Sequence, residues 1–368
     1  MYGFCCILRR FRLSDRGGFP TIKKHPLLWL IPLILLLMLV PFLVPSALPY
    51  AGAEESDIPV YSPVKLANPD VEPLLPLPSP KAEDPTPFAP DKNAYTVDPA
   101  TGAPVSYQDS TIYVKVDKRV INDTNVFFTW IQIADPSQLR TQITRETSPV
   151  KLAQRLRAVV AMNGDWYSGR GEGTIYRNTQ LLRDKPCRKR YDLLIIDSEG
   201  DFHILNRPEN TDVLAPYEGH ILHSFLFGPG LVIDGKLMTD DEDTFIRNQY
   251  GSGAGMGLNN KTQRQAICQM GKLSYLIITT EGPNNKNDKL HGFTAGELAQ
   301  IAYDAGAINA YNMDGGNSAC ITLDGVKLNR FGKGGIREIT DMIYFITAED
   351  PASDAAGNQN KAEGSTEP

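Results

Sequence analysis

The chain has 368 residues, room for about one to three domains. Hydrophobic residues make up 42% and charged residues 22%, which excludes a chain disordered throughout, while 31 glycines without a period and 5 cysteines exclude a collagen-like or disulfide-dense scaffold. The net charge is −6, with +5 on residues 1–25 and therefore −11 on the rest, an acidity that argues against bulk nucleic-acid binding and leaves any anionic ligand to a few placed Arg or Lys side chains.

In chain order, Arg9, Arg10, Arg12, Arg16, Lys23 and Lys24 precede a charge-free run over 26–49. The run is long enough to cross a hydrocarbon core of about 30 Å, and the basic flank predicts a cytoplasmic segment 1–25. Residues 26–49 are expected to be a single-pass signal anchor. The alternative is a signal peptide cleaved after Ala51-Gly52-Ala53, because small residues stand at the right spacing. Both readings carry the rest of the chain beyond the cell membrane. Residues 57–104 hold 12 prolines, so 50–107 reads as an extended extracytoplasmic linker without a core. The folded domain is expected at 108–348, with a small, polar, disordered tail at 349–368. Cys187, Cys268 and Cys320 read as buried thiols.

Within the domain, residues 110–116 and 124–134 read as strands, rich in β-branched and aromatic side chains. Ser148-Pro149 opens a helix over 149–156, which feeds an apolar strand at 158–162. Residues 191–196 and 201–205 flank a turn and form a hairpin. Further strands are expected at 220–227, 231–233, 264–270 and 273–280. Thr294 caps a helix to about 304, with Glu297 at capping-box spacing. Strands at 307–313, 319–323 and 339–346 complete an α+β domain, a mixed multi-stranded β-sheet core with a few packed helices.

The sharpest chemical signal is AINAYNMDGGNSACI, residues 307–321. Asn312 and Asp314 share the parity of one strand face. Gly315 and Gly316 admit a ligand close to the backbone, and their amides could form an anion-binding nest, with Asn317 and Ser318 beside them. The competing reading is an ordinary hairpin turn. Asn163-Gly164-Asp165-Trp166-Tyr167 repeats the pattern, polar groups at the end of a buried strand next to aromatic rings, and suits a sugar; otherwise it is a turn with both rings in the core. Arg264 opens an apolar strand, as a phosphate fork or a strand-edge charge. Glu281 follows another apolar strand. Glu297 is a carboxylate candidate or half of a capping box. Arg337 and Asp341 flank the last strand and read equally well as surface charges. The glycine-rich run 251–257 lacks the preceding apolar strand of a dinucleotide loop, and no G-x-S-x-G, H-E-x-x-H or zinc pattern occurs.

With these segments aligned, the chain resembles the phosphodiester glycosidase family over most of 125–347. AYNMDGGNSA, the helix FTAGELAQIAYDAGA before it, AVVAMNGDWY, FGPGLVIDGK, RQAIC and REITDMIYF all fit that family in order and spacing. The resemblance implies hydrolysis of a sugar-1-phosphodiester at the anomeric carbon; no cofactor is expected and no residue is assigned to a metal, although a bivalent-metal phosphodiesterase is a third possibility that the scattered carboxylates do not support. A phosphate leaves readily, so the harder tasks are holding an anionic diester and supporting an oxocarbenium-like transition state. The expected roles are Asp314 as base or nucleophile, Glu281 or Glu297 as second carboxylate, and Arg264 on the phosphate with the Gly315 and Gly316 amides. Asn163, Asp165 and Asn312 are expected to orient the sugar, and Asn163, Arg264, Glu281, Asn312 and Asp314 to share one cavity. The second class is a non-catalytic glycan-binding module of the cell envelope. A cavity holding Asp314 with a partner carboxylate and an arginine favours the enzyme.

Overall fold

The computed structural model describes residues 58–59, 66, 74–79, 88–169, 171–187, 191–238, 257–283, 289–330, 335 and 337–350. The expected cytoplasmic segment, signal anchor and C-terminal tail beyond 350 lie outside them. Among the described residues, no helix is long and apolar enough to cross a membrane.

The chain begins with β1 (Tyr95–Val97), β2 (Pro104–Gln108), β3 (Ile112–Ile121) and β4 (Thr124–Ile133). Next come β5 (Leu139–Thr147), α1 (Pro149–Arg155), β6 (Val160–Asn163), β7 (Ile175–Arg177) and β8 (Gln180–Arg183). The middle holds β9 (Leu193–Asp197), β10 (Phe202–Leu205), β11 (Ile221–Phe225), β12 (Gly230–Ile233) and β13 (Lys236–Leu237). Then follow β14 (Gln265–Gly271), β15 (Ser274–Thr280), α2 (Ala295–Asp304), β16 (Asn309–Met313), β17 (Ile321–Leu323), β18 (Val326–Lys327) and β19 (Ile339–Phe345).

A nine-stranded sheet runs β1-β2-β3-β4-β15-β14-β16-β12-β13, and a five-stranded sheet runs β18-β17-β6-β19-β5. Period-2 alternation gives each sheet two apolar faces. Ile131, Ile277 and Tyr311 from the large sheet meet Met162, Ile343 and Phe345 from the small one in the central core. On the outer face of the large sheet, Phe128, Leu276 and Ala310 pack against Leu298, Ala299 and Ala302 of α2. On the outer face of the small sheet, Ala161, Met342 and Tyr344 pack against Leu152 and Ala153 of α1. The result is helix, sheet, sheet, helix. A smaller sheet, β10-β9-β11, and the β7-β8 hairpin flank this stack.

Two expectations change. The described strand pairings are antiparallel rather than mixed, and the fold is mostly β, because hairpins and meanders connect most neighbours. The 50–107 linker is also not coreless throughout. β1 and β2 extend the large sheet, and Leu75 is buried among Leu152, Leu156 and Met342. Arg140, itself buried, donates from Nη2 to the Pro76 carbonyl at 2.7 Å. Proline density hid these pieces, since a proline can still offer its carbonyl and its ring to a preformed surface. Cys187, Cys268 and Cys320 are buried free thiols, as expected.

Candidate active site

β5 and β6 end, and β19 begins, at one rim of the five-stranded sheet, and the turn after β16 folds over that rim. A small cleft of about 60 Å³ opens there, lined by Asn163, Asp165, Trp166, Asp314, Ser318 and Asp341, with Glu146, Arg337 and Glu338 among its remaining walls.

Asn163 ties the rim together. Its Nδ2 donates to the Asp314 carbonyl at 2.8 Å, and its Oδ1 accepts the Cys320 amide at 3.0 Å. The two loops that the sequence singled out therefore meet through this side chain, which fixes where the half-buried Asp314 sits. Trp166 is 49% exposed, not a core residue. A Cβ on Gly169 would lie 2.0 Å from its ring, so glycine at 169 lets the indole lie flat against the backbone and offer its other face to the cleft.

Below the cleft lies a buried ion cluster. Arg177 ends β7 and is fully buried. Its Nε and Nη2 donate to the two carboxylate oxygens of Asp341 at 3.2 and 2.7 Å. Asp165 Oδ1 stands 3.3 Å from Nη2. Nη1 donates to the Tyr176 and Ser224 carbonyls, and the guanidinium stacks on Phe225 with 4.2 Å to the ring centroid. Asp165 is fixed from both ends: its amide donates to Asp341 Oδ2 at 3.1 Å and its Oδ2 accepts the Leu226 amide at 3.1 Å. Gly164 makes the approach possible, because a Cβ there would stand 2.2 Å from Asp341 Oδ2. Burial raises the Asp341 carboxyl to about 7; Arg177 opposes the rise and the Asp165 charge adds to it. His223 on β11 accepts the Asn178 amide at Nδ1 and donates from Nε2 to the Leu139 carbonyl. Burial pushes its pKa down to about 3, so it stays neutral.

Several expected site residues do not line the cleft. Arg264 is not a phosphate fork: Nε donates to the Phe293 carbonyl, and Nη2 donates to the carbonyls of Gly257, Leu258 and Asn260. Burial lowers its pKa to about 10. Glu281 is buried with both oxygens engaged, by the Arg330 amide and by Asn125 Nδ2, each at 2.7 Å. It clasps β4 to the 329–330 loop and does not line the cleft. Glu297 closes the capping box with Thr294 and pairs with Lys261 at 2.8 Å, on the outer helix layer. Its structural reading is the correct one. Asn312 shares its face with Ala310, on the α2 side of the sheet, and donates to the Gly228 carbonyl at 2.8 Å. The Gly316 amide donates to the Gln263 carbonyl at 2.9 Å, so it forms no open nest. Gly315 is needed for that approach, since a Cβ there would meet the same carbonyl oxygen at 2.7 Å. Asn317 is exposed beside the turn and is not a cleft wall, whereas Ser318 is buried and lines it. The expected five-residue cavity thus reduces to Asn163 and Asp314, joined by Asp165, Ser318 and Asp341.

The sequence reading missed Arg177 and undervalued Asp341. A signal existed for the latter: Asp341 has the parity of Ile343 and Phe345, the inward face of a buried strand. Arg177 is one charge between Ile175 and Asn178 in a three-residue strand, too short to display a period. Among the described residues, no group of three or more His, Cys, Asp or Glu could hold a metal ion.

Comparison with known proteins follows the same lines. Residues 156–346 match the family model described as phosphodiester glycosidase. An uncharacterized protein derived from the SPbeta prophage of Bacillus subtilis (strain 168), YomE, is 27% identical over 221 residues, which cover 59% of this chain and 32% of the relative. The chain therefore spans about a third of the length of that curated relative. Among solved structures, the catalytic domain of zebrafish N-acetylglucosamine-1-phosphodiester alpha-N-acetylglucosaminidase, auto-inhibited by its pro-peptide, superposes with a TM-score of 0.52 at 15% identity, covering 68% of this chain and 86% of that one. A hypothetical protein from Synechocystis gives a TM-score of 0.46 at 14% identity, over 64% of this chain and 62% of its own. The zebrafish likeness is one of fold.

Proposed function

The chain belongs to the phosphodiester glycosidase family, and on that premise we propose that it hydrolyses a sugar-1-phosphodiester at the anomeric carbon, acting on cell-surface or exopolysaccharide glycans. One observation carries the reading: Asp314 lines a cleft directly above two further carboxylates held by a buried arginine. That is the combination expected of an enzyme and not required of a glycan-binding module.

In this reading the exposed ring of Trp166 stacks on the sugar, and the exposed Arg337 at the rim takes the phosphate role that Arg264 does not fill. Asp314 faces the anomeric carbon as base or nucleophile, and its charge supports the oxocarbenium-like transition state. Asn163 holds the Asp314 backbone in register, and Ser318 offers a hydroxyl to the substrate.

The test is turnover of a panel of sugar-1-phosphodiesters by the wild-type protein and by Asp314→Asn. Asn keeps the turn but loses the charge, so hydrolysis is expected to fall at least ~10³-fold, about 4 kcal/mol of barrier, with the melting temperature little changed. Near-normal turnover in the variant would remove Asp314 from the chemistry. We further propose a single-pass, membrane-tethered protein with an extracytoplasmic domain, supported by the basic segment, the charge-free run over 26–49 and the proline-rich segment after it. Protease added to intact cells or spheroplasts should remove the domain and spare the N-terminal stub; protection until lysis would refute the topology.

A further inference from the structure

The cleft sets an electrostatic problem for an anionic substrate. Its walls carry Glu146, Asp314 and Glu338 against the positive charge of Arg337. Beneath them, Arg177 answers two carboxylates with one charge, and the cluster is closed to water: side-chain exposure is 0% for Arg177, 2% for Asp165 and 0% for Asp341. Full ionisation leaves one uncompensated negative charge in a dry site, which is costly, and an incoming phosphodiester adds another nearby.

We propose that the Asp165–Asp341 pair takes up one proton when the anionic substrate binds, so that the protonated pair is the binding-competent form, with Arg177 as the positioning residue that holds the two carboxyl groups together. The inference rests on the reading of the cleft as a phosphodiester site. The geometry places both carboxyl groups on a single cation: Asp341 keeps both oxygens on Arg177, while Asp165 Oδ1 stands 3.3 Å from Arg177 Nη2 and has no hydrogen-bond partner among the described residues. The ordinary titration of the cluster is already near neutrality, since burial raises Asp341 to about 7 against the pull of Arg177.

The surrounding groups do not supply the proton. Arg183 on β8 and the Tyr167 hydroxyl lie within electrostatic reach of the cluster, and burial lowers the Arg183 pKa against the opposing pull of Asp165. His223, behind Arg177 on β11, is held neutral. Glu146, Asp314 and Glu338 stand on the cleft walls.

The experiment uses the full chain and a methyl sugar-1-phosphodiester as probe, because such a diester carries one negative charge throughout pH 6–9. KM and kcat are measured across that range for the wild type and for Asp165→Asn, and proton uptake on binding is measured by calorimetry in buffers of different ionisation enthalpy. The variant leaves a one-to-one Arg177–Asp341 pair, so its fold should survive. The wild type is expected to lose affinity about tenfold per pH unit above about pH 7, with kcat nearly flat, and to take up close to one proton there. Asp165→Asn should show neither dependence. A flat wild-type KM with no proton uptake would overturn the proposal, as would an unchanged slope in the variant. If the variant fails to fold, the calorimetric result on the wild type decides alone. Absence of both binding and turnover at every pH would instead refute the reading of the cleft and remove this inference with it.

Discussion

Arg177 and Arg264 are both buried arginines on strands, yet they have opposite surroundings. Among the described residues, the Arg264 side chain donates to four backbone carbonyls, which hold the 257–260 loop and Phe293 against β14. Arg177 meets two carboxylates that line the cleft. A guanidinium bonded to carbonyls is a structural cross-link, whereas one shared by carboxylates under a cleft sets the charge of a site. The difference lies in the acceptors, which no single position reveals, and so the more conspicuous arginine in the sequence is the structural one.

The largest effect expected from this contrast comes from Arg177→Met. It leaves Asp165 and Asp341 buried without a cation, a loss of about 3–5 kcal/mol in stability, and the fraction that folds should lose at least ~10²-fold in kcat/KM. Chemical denaturation with activity corrected for folded protein checks both. Arg264→Lys should separate the two properties. Lysine cannot reproduce the fork, so stability should fall by about 1–3 kcal/mol while kcat/KM per folded molecule stays within about twofold. A selective rise in KM for the diester would return Arg264 to the phosphate.

A smaller, pH-dependent effect belongs to His223, which lies beside Arg177 but carries no charge. Its folded pKa of about 3 is below the ordinary value of about 6.5, so the unfolded chain binds more protons between them. Its contribution is therefore complete above about pH 6.5 and is lost as pH falls toward about 3, by up to about 1.4 kcal/mol per pH unit. The acid pair, with its raised pKa, slopes the other way, adding stability as pH falls through about 7. Denaturation curves of the wild type and His223→Gln, compared from pH 7 to 4, isolate the histidine; parallel curves would contradict the assignment. The smallest effect is Gly316→Ala, where φ is +58° and a Cβ meets nothing within 4 Å. The cost should be only about 1 kcal/mol of backbone strain, read as a small shift in the melting temperature without loss of turnover.

Much of the fold was legible because its strands alternate and its helices carry their own punctuation. The capping box of Thr294 and Glu297 and the proline after Ser148 marked both helix starts. β5 escaped notice because buried polar side chains stand on both of its faces, Thr141 on one and Gln142 on the other, and mask a period-2 pattern. β7 and β8 are too short to show any pattern. At the site, Asn163 and Asp314 were legible because each closes an apolar strand with a polar loop. Glu281 satisfied the same rule, and Arg264 and Asn312 stood beside strand ends, yet their polar atoms turn to backbone groups on other elements. Strand-end position shows that a polar residue has a purpose; only the tertiary partner shows whether that purpose is binding or bracing.

The central claim, hydrolysis at the anomeric carbon, is tested most directly by turnover of a sugar-1-phosphodiester in ¹⁸O-labelled water. Attack on the sugar breaks the C1–O bond and puts the label on the sugar hydroxyl, leaving the phosphate oxygens unlabelled. That is the expected result, and it should vanish with Asp314→Asn. Label recovered in the phosphate would mean cleavage at phosphorus and would contradict the account.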